Sequence, residues 1–215
     1  MGTMRLLLIR HGQTTSNVGQ HLDTAEPGAD LTPLGRKQAA AIPRALEGEA
    51  IDLIVVSNLV RTQQTAEPLA QARGLVPLIR PGVREIGAGD YEMLNDSASI
   101  QGYLTAVFGW GVDMAGRMPG AESGTEVIAR YDEVIEEAAE RVGDGTAVIF
   151  SHGAVIRAWA ATRADGLDFD YAKTHWLPNT GMIALEGSPH SWQVTEWGSS
   201  ALGEAVTAGH ITSQR

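Results

Sequence analysis

Arg5-Leu6-Leu7-Leu8-Ile9-Arg10-His11-Gly12-Gln13-Thr14 decides how the rest of the chain is read. Residues 5–9 are a short continuous apolar run with no helical period, which predicts a buried strand. The run stops abruptly at Arg10-His11, two groups able to do chemistry. Similar short runs recur at 52–56, 76–79 and 146–150, with helical patterns between them. Thr32-Pro33 is a helix start, with threonine as N-cap and proline in the first turn. That helix is expected to run towards Leu46, with Pro43 kinking or shortening it. A second covers about 59–71 and stops at Gly74. Ser123-Gly124-Thr125-Glu126 is a capping box opening a long amphipathic helix to Val142. Another helix covers about 154–162, and late strands at 182–185 and 192–196 flank a Gly187-Ser188-Pro189 turn.

Strands alternating with helices predict an α/β protein, a three-layer α/β/α sandwich around a mostly parallel sheet. Residues 81–122 are interrupted by eight glycines and read as looser structure with one helix near 97–108. The expected organisation is one domain over 1–198, with a small lid insertion at about 86–122 and a loose tail over 199–215. In such sheets ligands sit beyond the carboxyl ends of the strands. That rule selects Arg10 and His11, Ser57 to Arg61, Glu85, and Ser151-His152-Gly153. Two histidines, two arginines and a glutamate are expected to meet on one edge.

The 215 residues include no cysteine, so disulfides, thiolate metal sites and a cysteine nucleophile are excluded. A net charge of -10 argues against a non-specific nucleic-acid or anionic-membrane binder. An anionic substrate then requires a local cation cluster that overrides the global field. No apolar run approaches the ~20 residues that span a bilayer, and the expected address is the cytoplasm. The commonest assembly on general grounds is a homodimer.

A phosphomonoester, dianionic near neutral pH with its second pKa at ~6, suits these groups. Arginines bind its oxygens in bidentate fashion. A neutral imidazole attacks phosphorus in line. A protonated second histidine would bond a transferring oxygen. A carboxyl group protonates the leaving oxygen and then takes a proton from water. Each role is supplied once, with no metal and no cofactor required.

Leu8-Ile9-Arg10-His11-Gly12-Gln13-Thr14 with Asn17 resembles the signature of the histidine phosphatase superfamily, in its phosphoglycerate mutase-like first branch. Ser57-x-Leu59-x-Arg61-x-x-x-Thr65-Ala66, Arg84-Glu85-x-x-x-Gly89, Pro119-Gly120-x-Glu122-Ser123 and Ser151-His152-Gly153 resemble its later motifs, in family order. The resemblance implies His11 as phosphoacceptor and Glu85 as proton donor. It implies a phosphate pocket of Arg10, Asn17, Arg61, His152 and Gly153. It also favours a phosphatase, acting on a phosphorylated small molecule, over a mutase. Where the mutases carry Tyr, Lys, an arginine pair and Asn to hold phosphoglycerate, this chain has Ala88, Asp96, Val112-Asp113 and Ala154. A cofactor-dependent mutase and an idle phosphate-binding scaffold remain the alternative readings. Met93 stands where the family commonly has glycine, so the loop around 87–94, and with it the placement of Glu85, is expected to depart from the family's path. His21, His175, His190 and His210 read as structural or solvent-exposed, and Arg80 and Arg84 as surface cations.

Overall fold

The computed structural model describes residues 2–189 and 191–202; His190, His210 and most of the expected tail lie outside the described residues. The chain begins with β1 (Met4–Arg10), a single-turn helix α1 (Thr15–Val18), α2 (Pro33–Ala45), β2 (Leu53–Val56), α3 (Val60–Arg73) and β3 (Leu78–Ile79). It continues through α4 (Ser97–Phe108), α5 (Gly124–Val142), β4 (Thr146–Ser151), α6 (Gly153–Arg163), α7 (Phe169–Thr174), β5 (Met182–Ser188) and β6 (Ser191–Trp197).

The strand order is β3-β2-β4-β1-β5-β6. β1 and β2 both pair parallel to β4, and β3 pairs parallel to β2. β5 runs antiparallel to β1, and β6 to β5. Because successive side chains point to opposite faces, β1 feeds two cores at once. Leu6 and Leu8 pack with α5 and α6 residues such as Tyr131, Val127 and Val155. Leu7 and Ile9 pack with Ile42 and Leu46 at the end of α2 and with Leu69 of α3. Covered faces on both sides explain the continuous apolar runs. They make the protein a three-layer α/β/α sandwich with a mostly parallel sheet.

Helix starts follow their caps. Thr32 Oγ1 accepts from Gly35 N, and Ser123 with Glu126 closes the capping box at the head of α5. Gly74 ends α3 in the left-handed conformation at φ 65°. Pro43 neither ends nor shortens α2, because it lies in the last turn, where the N–H it lacks costs a single helical bond. The segment 86–122 is packed into the main core through Ile86, Ala88, Tyr103, Val107, Trp110 and Met118. Of the expected tail, Ala201 is buried and Leu202 packs on the α2/α3 side. No helix among the described residues is long and apolar enough to cross a membrane.

Met93 resolves the question raised by its position. Its φ is +61°, a left-handed conformation that glycine adopts freely and other residues adopt at a cost of roughly 1–2 kcal/mol. The Met93 and Leu94 backbones are held in place by Met93 N–H donating to Leu22 O and Leu22 N–H to Leu94 O, both at 2.9 Å. The loop thus keeps the path that a glycine would take. Since the Met93 side chain is 52% exposed, Met93→Gly should raise unfolding stability, by about 0.5–1 kcal/mol net of glycine's greater unfolded-state entropy. A lower urea midpoint in the variant would show that side-chain packing outweighs the strain.

Candidate active site

The carboxyl ends of β1, β2 and β4 lie side by side, and the residues following them line a cavity of about 550 Å³. His11, directly after β1, is almost wholly buried. Its Nδ1 lies 2.8 Å from Gly12 O. A carbonyl oxygen only accepts, so Nδ1 carries the proton and Nε2 is left with the lone pair. Burial, reinforced by the positive charges of Arg61 and Arg10, holds the imidazole well below its usual pKa. A neutral ring with a free Nε2 is the nucleophilic form. Gly12 is required beside it: a Cβ there would meet Gly35 O of α2 at 2.7 Å. Gly12 N–H is in turn taken by Thr65 Oγ1 of α3 at 2.9 Å.

Arg10 and Arg61 are also buried. Arg10 Nη1 donates to Leu177 O at 2.7 Å, and its guanidinium carbon stands 5.0 Å from the Trp176 ring centroid. Burial pulls the Arg10 pKa down to about 10, so the group remains cationic at neutral pH. Arg61, in the first turn of α3, donates through Nη2 to Asp23 O at 2.9 Å. Arg10 Nε and Arg61 Nη1 are buried and have no hydrogen-bond partner, and Asp23 Oδ2 stands 3.8 Å from Arg61 Nη1 as an ion pair. Space around them is tight. A Cβ at Gly153 would come within 3.1 Å of Arg10 Nε, and one at Gly28 within 2.4 Å of Arg61 Nη1. Asn17 lines the same cavity. Its Oδ1 accepts from Thr14 N–H at 3.1 Å and Asn179 Nδ2 at 3.0 Å, which turns its own Nδ2 donor elsewhere.

His152 is fully buried behind Arg61, and its ring lies 5.2 Å from that of His11. Its Nδ1 accepts from Arg61 Nε at 3.2 Å, so the proton sits on Nε2, 2.8 Å from Ser57 Oγ. Burial first, then the Arg61 charge, hold this imidazole well below its usual pKa. His152 thus orients Arg61, and Arg61 is the group of the pair that lines the cavity.

Glu85 also lines the cavity, with its carboxylate at the start of α6. Oε1 accepts from Val155 N–H at 2.9 Å and Ile86 N–H at 3.0 Å; Oε2 accepts from Ala154 N–H at 3.2 Å. The amides of a helix's first turn have no intrahelical partners, and a carboxylate satisfies them. All seven residues selected from the sequence are therefore in one place: six line the cavity and His152 stands directly behind.

Other residues of the site carried no motif. Arg157, one turn into α6, is buried and lines the cavity; it donates to Gly153 O at 3.0 Å and Ala172 O at 2.9 Å. Its guanidinium faces the Phe108 and Trp176 rings at 4.7 and 4.8 Å. Asn179 ties His11 O to Asn17. With Arg157 the cavity holds three guanidinium groups, the local positive charge that an acidic chain needs in order to bind an anion. Among the described residues, no cluster of three or more His, Asp or Glu is placed to hold a metal.

The family model described as histidine phosphatase superfamily (branch 1) matches residues 6–200. The chain belongs to that family. The PE-PGRS family protein PE_PGRS11 of Mycobacterium tuberculosis (strain ATCC 25618 / H37Rv) is 32% identical over 92% of this chain. The chain spans only 37% of that protein's length. Glucosyl-3-phosphoglycerate phosphatase of the same strain is 29% identical, over 94% of this chain and 97% of its own. The solved structure of mycobacterial glucosyl-3-phosphoglycerate phosphatase in complex with VO3 superposes with a TM-score of 0.77 at 31% identity, covering 92% of this chain and 100% of that one.

Within this histidine phosphatase, positions that hold substrate in the related mutases do other work. Asp96 caps α4 by accepting from Ser99 N–H. Ala88 is buried, and its N–H donates to Thr24 Oγ1. Ala154 lines the cavity and donates its N–H to Glu85 Oε2.

Proposed function

We propose that this histidine phosphatase hydrolyses phosphomonoesters of small metabolites through a phosphohistidine on His11, without a metal ion. The observation that carries the reading is the state of His11: a neutral imidazole with Nε2 free, set among buried guanidinium groups that have unpartnered N–H donors. In the first step the Nε2 lone pair forms the N–P bond and the P–O bond to the leaving alcohol breaks. The Glu85 carboxyl proton goes to that oxygen. In the second, Glu85 takes a proton from water as the water oxygen attacks phosphorus. The N–P bond breaks, returning inorganic phosphate and the neutral ring. Arg10, Arg61 and Asn17 bind the transferring oxygens, and their fixed positive charge stabilises the transition state. Gly153 gives the space in which Arg10 lies.

The ester is that of a small molecule in the cytoplasm. The cavity is metabolite-sized, and the net charge of -10 opposes polyanionic partners. The relative named glucosyl-3-phosphoglycerate phosphatase supports phosphorylated metabolites as the first compounds to try. Turnover of p-nitrophenyl phosphate in excess EDTA is expected to stay within twofold of the untreated rate. A rate abolished by chelation and restored by one divalent cation would overturn the metal-free reading.

A further inference from the structure

Glu85 lies in no helix or strand. β3 is only two residues long, a single 3-10 turn covers Pro81–Val83, and residues 84–88 belong to no regular element. Its carboxylate is met by three amides, yet the backbone from which it projects has no ladder to hold it. An irregular segment must satisfy its carbonyls in some other way, and here side chains do so.

Five consecutive carbonyls, from Gly82 to Ile86, each accept a side-chain hydrogen bond. Arg130 of α5 donates through Nη1 to Gly82 O at 2.6 Å and Arg84 O at 3.0 Å, and through Nη2 to Glu85 O at 3.1 Å. Ser151 Oγ donates to Val83 O at 2.8 Å, and Tyr103 OH to Ile86 O at 3.1 Å. Arg130 is itself fixed by Glu122. Nε donates to Oε1 at 2.9 Å and Nη2 to Oε2 at 3.2 Å, while Arg84 Nη2 joins Oε1 at 2.7 Å. Three of Arg130's five N–H donors therefore go to the Glu85 loop and two to Glu122. A lysine, with three donors around one nitrogen, cannot reproduce that pattern. The approach of α5 to the loop is equally close in the backbone: a Cβ at Gly82 would meet Arg130 O at 2.4 Å.

We propose that Arg130, fixed by Glu122, is a positioning residue that sets the Glu85 carboxyl for proton transfer to the leaving oxygen. This rests on the reading of Glu85 as the general acid. Arg130 does not line the cavity, so it acts through the loop and not by touching substrate. Displacing a catalytic group by about 1 Å costs on the order of 100-fold.

The consequence is selective. A p-nitrophenolate leaving group departs readily without a proton, whereas an alkoxide does not. The readout is the ratio of kcat/KM for an alkyl phosphate, such as glycerol 2-phosphate, to that for p-nitrophenyl phosphate. kcat/KM reports steps up to phosphoryl transfer, and the ratio cancels any general loss of folded enzyme. Arg130→Gln is expected to lower this ratio at least tenfold, Arg130→Lys to restore little of it, and Glu85→Gln to lower it further. Should Arg130→Gln not fold, Glu122→Gln keeps the carbonyl bonds but weakens the grip on Arg130; a threefold or greater fall is then expected. A ratio unchanged in the Arg130 or Glu122 variants, with both substrates slowed equally, would overturn the proposal and leave Arg130 a structural residue. If Glu85→Gln itself leaves the ratio unchanged, the general-acid reading fails instead, and the positioning role with it.

Discussion

Changing His11 to alanine should lower kcat/KM for p-nitrophenyl phosphate by on the order of 10⁴–10⁶-fold, the cost typical of deleting a nucleophile that works within a concerted set. His152 cannot take its place. His152 is fully buried, with both ring nitrogens engaged by Arg61 and Ser57. Rapid quenching into alkali, where the N–P bond survives, should trap phosphoenzyme in the wild type and none in the variant. The variant should fold, since the ring's one hydrogen bond is to Gly12 O and a typical bond of that kind contributes about 1 kcal/mol. A variant that still accumulates phosphoenzyme, or retains turnover within tenfold, would remove His11 from the proposed chemistry.

The residues of that set were legible in the sequence because the parallel sheet converts order along the chain into nearness in space. Each buried strand ends where its apolar run ends, and the next residues fall at the same edge. Caps made the helix starts equally readable, as at Thr32 and Ser123. α7 was not legible: six residues, Phe-Asp-Tyr-Ala-Lys-Thr, are too few to show a period. Arg157 and Arg130 were not legible for a different reason. A cation inside a helical pattern reads as a solvated face, yet Arg157 is buried under Trp176 and Phe108, and Arg130 is spent on loop carbonyls. Arg80 and Arg84 read as surface cations, and their partners Glu137 and Glu122 lie dozens of residues away. Pairings of that range are tertiary facts that no local window contains.

Acidification should weaken the fold before it touches the carboxylates. His11 and His152 are held neutral in the folded protein by burial and by the neighbouring guanidinium charges, with pKa values well below the ordinary 6.5. In the unfolded chain both titrate near 6.5. As pH falls through that value, the unfolded state takes up protons that the folded state refuses. Stability must therefore fall with pH, by on the order of 1 kcal/mol per pH unit for each histidine. Between pH 7.5 and 5.5 the combined loss should be about 2–3 kcal/mol, a large part of the 5–15 kcal/mol that typically holds a domain together. The carboxylates act lower down. Glu137, which accepts from Arg80 and Arg141, is held at about 2, so its stabilising contribution is lost only below the usual carboxylate value of 4.5. The two windows are thus separable by urea unfolding at pH 7.5, 6.5 and 5.5. The buffer must contain no phosphate, because an anion bound to the folded state would add its own linkage. His11→Ala should retain about half of the wild-type pH dependence, since His152 still refuses its proton. Stability that is flat across this range in the wild type would mean that the imidazoles charge within the folded protein. His11 Nε2 would then not be held as a lone pair ready to attack phosphorus.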